Sequence, residues 1–182
     1  MGNSSFRNPD PRRPNLHNPG VHIRRAILAD VPGMVELGKA NPAAAQWSRM
    51  QYEQQFSKSP AANDFHGPEH FALVAEQASE LDLSAEKRII GFIVASGLET
   101  DWELENIVVA AKSRGGGIGT LLLAGFIDHV RTGNGRSIFL EVRESNRNAR
   151  LLYRNAGFKE EGTRKNYYKD PAESAILYRL SL

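Results

Sequence analysis

Lys112-Ser113-Arg114-Gly115-Gly116-Gly117-Ile118-Gly119-Thr120-Leu121-Leu122-Leu123 is the stretch of this 182-residue chain whose reading decides the fold. The apolar run Ile107-Val108-Val109 stands just before it. After it, Ile118, Leu121, Leu122, Gly125, Phe126 and His129 recur at spacings of three and four, which predicts a helix over 118–130. Between the two, glycine fills four of the five positions from 115 to 119. The segment therefore reads as a strand, a loop of bare backbone and a helix N-terminus. The first turn of a helix leaves its N–H groups unpaired and carries the positive end of the helix dipole, which suits an anion such as a phosphate. Glycine at Gly115, Gly116, Gly117 and Gly119 lets the backbone approach that anion with no Cβ in the way. A tight turn alone needs fewer.

Upstream, Val21–Ala26 alternates as a strand, and a helix runs from an Asp30 cap through Pro32 to about Ala40. A second helix is expected over Ser48–Phe56, capped by Ser48, with Met50, Tyr52 and Phe56 on its apolar side. Lys58–Pro68 reads as a loop, Phe71–Ala75 as a strand, and polar Glu76–Lys87 as an extended hairpin loop. Arg88–Ser96, with Gly91 as a bulge or close-approach point, and Trp102–Val109 are the next strands.

Downstream, Gly133-Asn134-Gly135 ends the central helix, and Ser137–Arg143 is a strand with Ile138, Leu140 and Val142 on one face and Phe139, Glu141 and Arg143 on the other. Ser145 or Asn146 caps a helix through Asn155 whose apolar side is Ala149, Leu152, Tyr153 and Ala156. Gly157 takes its C′ position. Phe158 begins a short strand, Asp170-Pro171 is a turn, and Ser174–Leu180 is the last strand. The order β-α-α-β-β-β-α-β-α-β-β predicts an α/β fold, a mixed sheet flanked by helices.

Composition narrows the classes. A net charge of +2 is no argument for nucleic acid, and the absence of cysteine excludes disulfides, thiol nucleophiles and thiolate metal sites. The five histidines show no ligand spacing, so no metal is expected. No apolar run approaches the roughly 20 residues of a membrane span, and the first residues carry no signal-peptide core, so a cytoplasmic protein is expected. Residues 1–20, rich in Asn, Pro and Arg, read as a flexible basic arm ahead of one domain over 21–182.

The loop is neither of two common phosphate cradles. A Walker loop ends in Gly-Lys-Ser/Thr, whereas Thr120 follows Gly119 directly. A dinucleotide fingerprint starting at Gly115 needs Gly or Ala where Thr120 stands, and would normally open its fold rather than follow three strands. Arg-x-x-Gly-x-Gly does fit, on Arg114, Gly117 and Gly119. With Leu140–Glu141, Asn146 and Leu152-Tyr153-Arg154-Asn155-Ala156-Gly157-Phe158 after it, the chain resembles the GNAT N-acetyltransferases over about residues 21–182. Within them it is most similar to the bacterial ribosomal-protein-alanine N-acetyltransferases, on Trp47-Ser48, Asn106–Val109, Leu140–Asn146 and Arg164–Tyr168. It departs from them at Gly115 and Gly116, where arginines are usual, and at Ala110-Ala111, where Asp-Pro is frequent.

The resemblance implies acetyl-CoA as donor, its pyrophosphate on the Gly115–Thr120 amides with Arg114 beside them, and its pantetheine arm along the backbone of Ile107, Val108 and Val109. It implies Glu141 as general base, Tyr153 as acid toward the departing thiolate, and Asn146 as a partner of the cofactor's amide chain. Read from the residues alone, Glu141 is a solvent-facing strand residue, Tyr153 a packing residue and Asn146 a helix cap. Trp47, Tyr167 and Tyr168 are candidates for the acceptor cleft; Trp47 and Tyr52 read equally as core. The implied reaction is acetyl transfer to a primary amine, foremost the N-terminal α-amine of a ribosomal protein, by a monomer or homodimer. A small-molecule or lysine amine, and a non-catalytic acyl-CoA-binding domain, are the other readings.

Overall fold

A computed structural model describes residues 20–56, 68–77 and 88–182. The arm before residue 20, most of the loop expected over Lys58–Pro68, His66, and residues 78–87 of the expected hairpin loop lie outside the described residues. The elements are β1 (Val21–Arg25), α1 (Val31–Lys39), α2 (Arg49–Gln54), β2 (Glu69–Gln77), β3 (Arg88–Leu98), β4 (Asp101–Val109), α3 (Ile118–Thr132), β5 (Ser137–Arg143), α4 (Arg147–Asn155), β6 (Lys159–Lys169) and β7 (Ala172–Ser181). Their order is the one expected.

The strands form one sheet in the order β1-β2-β3-β4-β5-β7-β6. All neighbours are antiparallel except β4 and β5, which run parallel. That pair is joined through α3, as a parallel connection requires a crossover. It is also short: Asp101, Trp102 and Glu103 pair with Ser137, Ile138 and Phe139, and pairing then stops. Two residues later β4 carries a bulge, since Val94 opposes Asn106 while Ala95 opposes Leu104, leaving Glu105 as the extra residue. A bulge bends its strand and re-aims its side chains. Beyond Glu103 the two strands part and leave a gap in the middle of the sheet.

Helices cover both faces. Ile118, Leu122, Leu123, Phe126, Ile127 and Val130 of α3 and Tyr153 of α4 pack with Leu104, Ile138, Leu140 and Val142 in the larger core. Val31 and Met34 of α1 and Tyr52 of α2 pack with Val74, Phe92, Val94 and Val108 on the opposite face. A fully buried side chain such as Phe126 contributes about 2–3 kcal/mol through its removal from water. Gly91 is a close-approach point as expected. A Cβ there would stand 3.1 Å from the Val108 carbonyl oxygen and 3.2 Å from Ile118 and Leu122, so glycine lets α3 settle onto the sheet.

Several local expectations are corrected. Glu76 belongs to β2 rather than to a loop; it is buried because Arg24 Nε reaches its carboxylate at 2.8 Å. Asp30 is the N-cap residue of α1 as expected, but its side chain makes no capping bond to the helix. Its carboxylate accepts from the Ile27 amide and from both terminal nitrogens of Arg24, at 2.7–2.9 Å. Met50 is exposed, so only Tyr52 and Phe56 of the expected face of α2 turn inward. The strand after Phe158 is long, not short, at 11 residues. Ser48 does cap α2, its hydroxyl accepting from the Gln51 amide. Asn146, rather than Ser145, caps α4.

Candidate active site

The gap between β4 and β5 continues into a cleft of about 1270 Å³ lined from both faces of the sheet. On the α3 side its wall is Arg114, Gly115, Gly117, Ile118, Gly119 and Thr120, with Asn146 and Leu152 from α4. On the α1 side it is closed by the segment Asn41 to Gln46, by Asn106 and by Glu141 and Tyr168. Ile107, Val108 and Val109 line it along the strand edge that β5 leaves unpaired. Gly116 alone of the expected loop residues is not part of the wall.

The glycines do what their local chemistry suggests. Gly117 is the N-cap of α3 with φ 79°, a left-handed conformation that glycine adopts without a Cβ penalty. The first bond inside the helix runs from the Leu121 amide to the Gly117 carbonyl at 3.0 Å. The amides of Ile118, Gly119 and Thr120 precede that bond and point out of the helix end. Arg114 does not extend freely into the cleft: its Nε donates to the Val109 carbonyl at 3.2 Å, and its Nη2 is bonded to the Asn41 side chain. It thereby ties the segment after α1 to the loop. Asn106, buried, adds a second tie, donating to the Ala45 carbonyl at 3.0 Å and lying 3.4 Å from the Tyr52 hydroxyl.

The parity of β5 settles the placement of Glu141. Ile138, Leu140 and Val142 enter the larger core, so Glu141 faces the α1 side. There it is 2.5 Å from Arg164 Nη1 of β6, and Tyr167 of the same strand stands within its electrostatic reach. That carboxylate pushes the Tyr167 phenol above the ordinary tyrosine value. Glu103 is raised too, by burial first and then by Glu105 and Glu141, so three carboxylates share this face of the gap. Tyr168 lines the cleft with the Arg143 guanidinium 4.0 Å over its ring, and its phenol is raised chiefly by burial.

Tyr153 comes from α4 into the same cleft and is 4 % exposed. Burial pushes its phenol well above the usual tyrosine range. It packs between Phe158 and Tyr178, yet its hydroxyl makes no hydrogen bond among the described residues. It therefore combines a packing role with an unengaged donor at the cleft. Asn146 similarly combines two roles: its Oδ1 accepts from the Ala149 amide at 3.2 Å as the cap, and the residue lines the cleft.

Trp47 and Tyr52 separate. Tyr52 is core, fully buried, its phenol pushed up to about 12 by burial. Trp47 packs on Tyr52 at 5.2 Å but lines a smaller adjoining pocket, not the main cleft. The sequence does not single out Glu105, Asn41 or the pairing of Arg164 with Glu141. A signal existed for Glu105, since Glu103 and Glu105 alternate with Trp102 and Leu104; nothing local marked the other two. Among the described residues no group of three or more His, Cys, Asp or Glu is placed to hold a metal ion, and no helix is long and apolar enough to cross a membrane.

An amide-lined helix start and a buried phenol beside an open strand edge, with a carboxylate across the gap, match a known family. Residues 41–158 match the acetyltransferase (GNAT) family model. The chain belongs to the acetyltransferase (GNAT) family. A curated relative, the [ribosomal protein bS18]-alanine N-acetyltransferase of Haemophilus influenzae, is 38 % identical over 105 residues, covering 56 % of this chain and 71 % of that protein. The corresponding enzyme of Salmonella typhimurium is 33 % identical over 114 residues, covering 62 % of this chain and 77 % of that one. Among solved structures, the ribosomal-protein-S18-alanine N-acetyltransferase of Escherichia coli superposes with a TM-score of 0.71 at 24 % identity, over 88 % of this chain and 93 % of that one. This GNAT protein is thus an N-acetyltransferase that uses acetyl-CoA, and its mixed sheet is the GNAT fold.

Proposed function

We propose that this acetyltransferase modifies the α-amine at the N-terminus of a protein, and that a ribosomal protein with N-terminal alanine, the substrate in the names of its relatives, is the acceptor. The observation that carries the reading is the cleft itself. Its free amides and open strand edge lie toward α3 and α4, while Glu141 and Tyr168 line it from the α1 side. Donor and acceptor can therefore enter from opposite faces and meet at the gap.

The residues present fit the donor. The Ile118, Gly119 and Thr120 amides would hold the pyrophosphate, with no lysine needed, because a helix start already carries partial positive charge. The edge of Ile107–Val109 would pair with the amide-bearing pantetheine arm as an added strand does, and Asn146 would offer its side-chain amide. The donor supplies an acetyl thioester.

The chain's own residues manage two protons. An α-ammonium has a pKa of about 8 and a lysine of about 10.4, so an α-amine needs much less help near neutral pH. Glu141 takes the proton from the acceptor nitrogen, directly or through one water, as the carbon–nitrogen bond forms. Tyr153 donates its phenolic hydrogen to the sulfur as the carbon–sulfur bond breaks. Its raised pKa keeps it protonated at neutral pH, so the donor form is the one present.

Turnover of acetyl-CoA is to be compared on a peptide beginning with alanine, the same peptide blocked at its N-terminus but carrying an internal lysine, and free polyamines and amino acids. Acetylation of the α-amine, located by mass spectrometry, is the expected outcome. Turnover confined to lysine or free amines moves the acceptor there; acetyl-CoA binding without turnover on any amine leaves a binding domain.

A further inference from the structure

Arg114, from the loop before α3, reaches the opposite wall of the cleft, where it is bonded to Asn41, the first residue of the segment that closes the α1 side. We propose that Asn41 is a positioning residue for both substrates. It parks Arg114 on the Val109 carbonyl until a donor phosphate claims the guanidinium, and it then offers its freed side-chain oxygen to an N–H group of the acceptor. One arginine–asparagine contact thereby couples the two sites. The inference rests on the reading of the glycine loop and the free strand edge as the seat of acetyl-CoA.

The parked position covers part of that seat. The Ala110 amide bonds to the Ile90 carbonyl at 2.8 Å, across to β3. In an antiparallel pair, successive residues turn their amide and carbonyl to opposite sides. Val109, opposite Gly91, therefore directs its own away from β3, to the edge that β5 leaves unpaired. That carbonyl accepts from Arg114 Nε at 3.2 Å. An arm that adds itself as a strand pairs through such groups, so Arg114 occupies an acceptor that the pantetheine would use.

What holds Arg114 there is neutral. Among the described residues no carboxylate forms an ion pair with it; its partners are the Val109 carbonyl and the Asn41 side chain. Bonds from a guanidinium to a phosphate are charge-assisted on both sides and stronger than bonds to neutral oxygens, so a pyrophosphate on the neighbouring amides wins the exchange. Asn41 is the fixed side of the contact. It is buried, its Nδ2 donates to the Leu37 carbonyl at 2.6 Å, and its backbone carbonyl accepts from the Ala44 amide at 2.9 Å and from Gln46 Nε2 at 3.0 Å. Held in this way, its Oδ1 becomes a buried acceptor without a donor once Arg114 leaves. Such a group is costly until another N–H reaches it. Asn41 lines the cleft on the side where Glu141 and Tyr168 stand, so the N–H that reaches it is the acceptor's. Donor binding thus raises affinity for the acceptor, and by linkage the acceptor raises affinity for the donor by the same factor.

The test measures binding to the full-length enzyme by calorimetry: of acetyl-CoA alone, and of a hexapeptide beginning with alanine with and without saturating CoA. In the unaltered enzyme CoA should tighten the peptide at least fivefold. In N41A that factor should fall toward one, while acetyl-CoA alone should bind several-fold tighter because nothing parks Arg114. Weaker peptide binding in N41A both with and without CoA, and no gain for acetyl-CoA, is what a merely structural asparagine would give, and it would overturn the proposal. So would peptide affinities within twofold of each other with and without CoA in the unaltered enzyme. That comparison needs no variant, so it decides the matter even where N41A folds poorly. Where the peptide binds in neither condition, the peptide acceptor is wrong and the acetyl-CoA affinity of N41A decides: no gain overturns the role of Asn41. Hydrogen exchange of the unaltered enzyme tests the donor reading separately, since CoA should protect the amides of Ile118, Gly119 and Thr120. Protection there without coupling defeats the role of Asn41 alone; CoA binding without protection there defeats the donor reading and the coupling with it.

Discussion

Arg164 Nη1 of β6 lies 2.5 Å from Glu141 Oε1 of β5, so the carboxylate that faces the gap is already paired with a cation. An acceptor arriving as an ammonium competes with that guanidinium for the same oxygen. Arg164 is about half exposed, so the pair is worth little to stability and can open at small cost. Arg164→Ala should lower the KM for a cationic acceptor several-fold. Steady-state kinetics on an N-terminal peptide decide it. A raised KM would instead make Arg164 a positioning residue for Glu141.

Replacing the carboxylate itself separates chemistry from donor binding. Glu141→Gln keeps the shape and removes the proposed base, so kcat near neutral pH should drop by roughly 10²–10⁴. Activity should recover as the pH approaches the amine's own pKa of about 8, where free amine no longer needs a base. Acetyl-CoA affinity, measured by calorimetry, should not move. An unchanged rate and pH profile would remove Glu141 from the reaction.

Tyr153 has two roles to be told apart. Tyr153→Phe preserves the ring packing on Phe158 and Tyr178 and deletes only the hydroxyl. If the phenol assists the leaving sulfur, kcat should fall on the order of 10²-fold while the melting temperature stays within a few degrees. Full activity with unchanged melting would leave packing as its whole function.

Gly117 holds the start of α3 in a left-handed conformation. Gly117→Ala forces a Cβ into it, at a cost of about 1–2 kcal/mol, and disturbs the amides that follow. A several-fold weaker acetyl-CoA affinity with a modest loss of stability is expected. Binding titration and thermal melts of the same sample report the two effects separately.

Asp30 offers a stability prediction with a defined pH sense. Burial works to raise its pKa, but the hydrogen bonds from Arg24 and from the Ile27 amide outweigh it and leave the carboxyl below its ordinary value. A carboxyl with a depressed folded pKa stabilises fully above its unfolded pKa of about 3.9, and that contribution is lost as pH falls through the lower folded value. Asp30→Asn should therefore cost about 2 kcal/mol at neutral pH, through the loss of a largely buried pair. The difference from the unaltered protein should shrink in acid. A pH-independent difference in denaturant midpoints would contradict the linkage.

Much of the fold was legible because its signals are local. The strand before the glycines, the unpaired amides after them and the apolar stripe of α3 are written within about 25 consecutive residues, and so is the parity that turns Glu141 away from Ile138, Leu140 and Val142. The less legible elements lack such signals. β6 reads Lys-Glu-Glu-Gly-Thr-Arg-Lys-Asn-Tyr-Tyr-Lys, with no alternation, because it is an edge strand exposed along most of its length. Glu76 reads as a loop residue because the cations that permit its burial, Arg24 above all, lie on β1, more than 50 residues earlier.

The sequence by itself determined that a glycine-rich helix start follows a strand, and that a glutamate and a tyrosine stand on the two elements after it. Backbone preference and side-chain period decide such matters among near neighbours, so they survive without tertiary information. Only the tertiary structure decided that β4 and β5 part after Glu103, that the bulge brings Asn106 to the same face as Glu105, and that Arg164 meets Glu141. That last contact depends on register carried through β7, where Leu177 pairs with both Glu141 and Gly162, two residues from Arg164. A shift of one residue in either pairing would present the other face of the strand. No local pattern encodes a pairing between residues 23 apart in the chain; it is selected by the cores on both faces of the sheet.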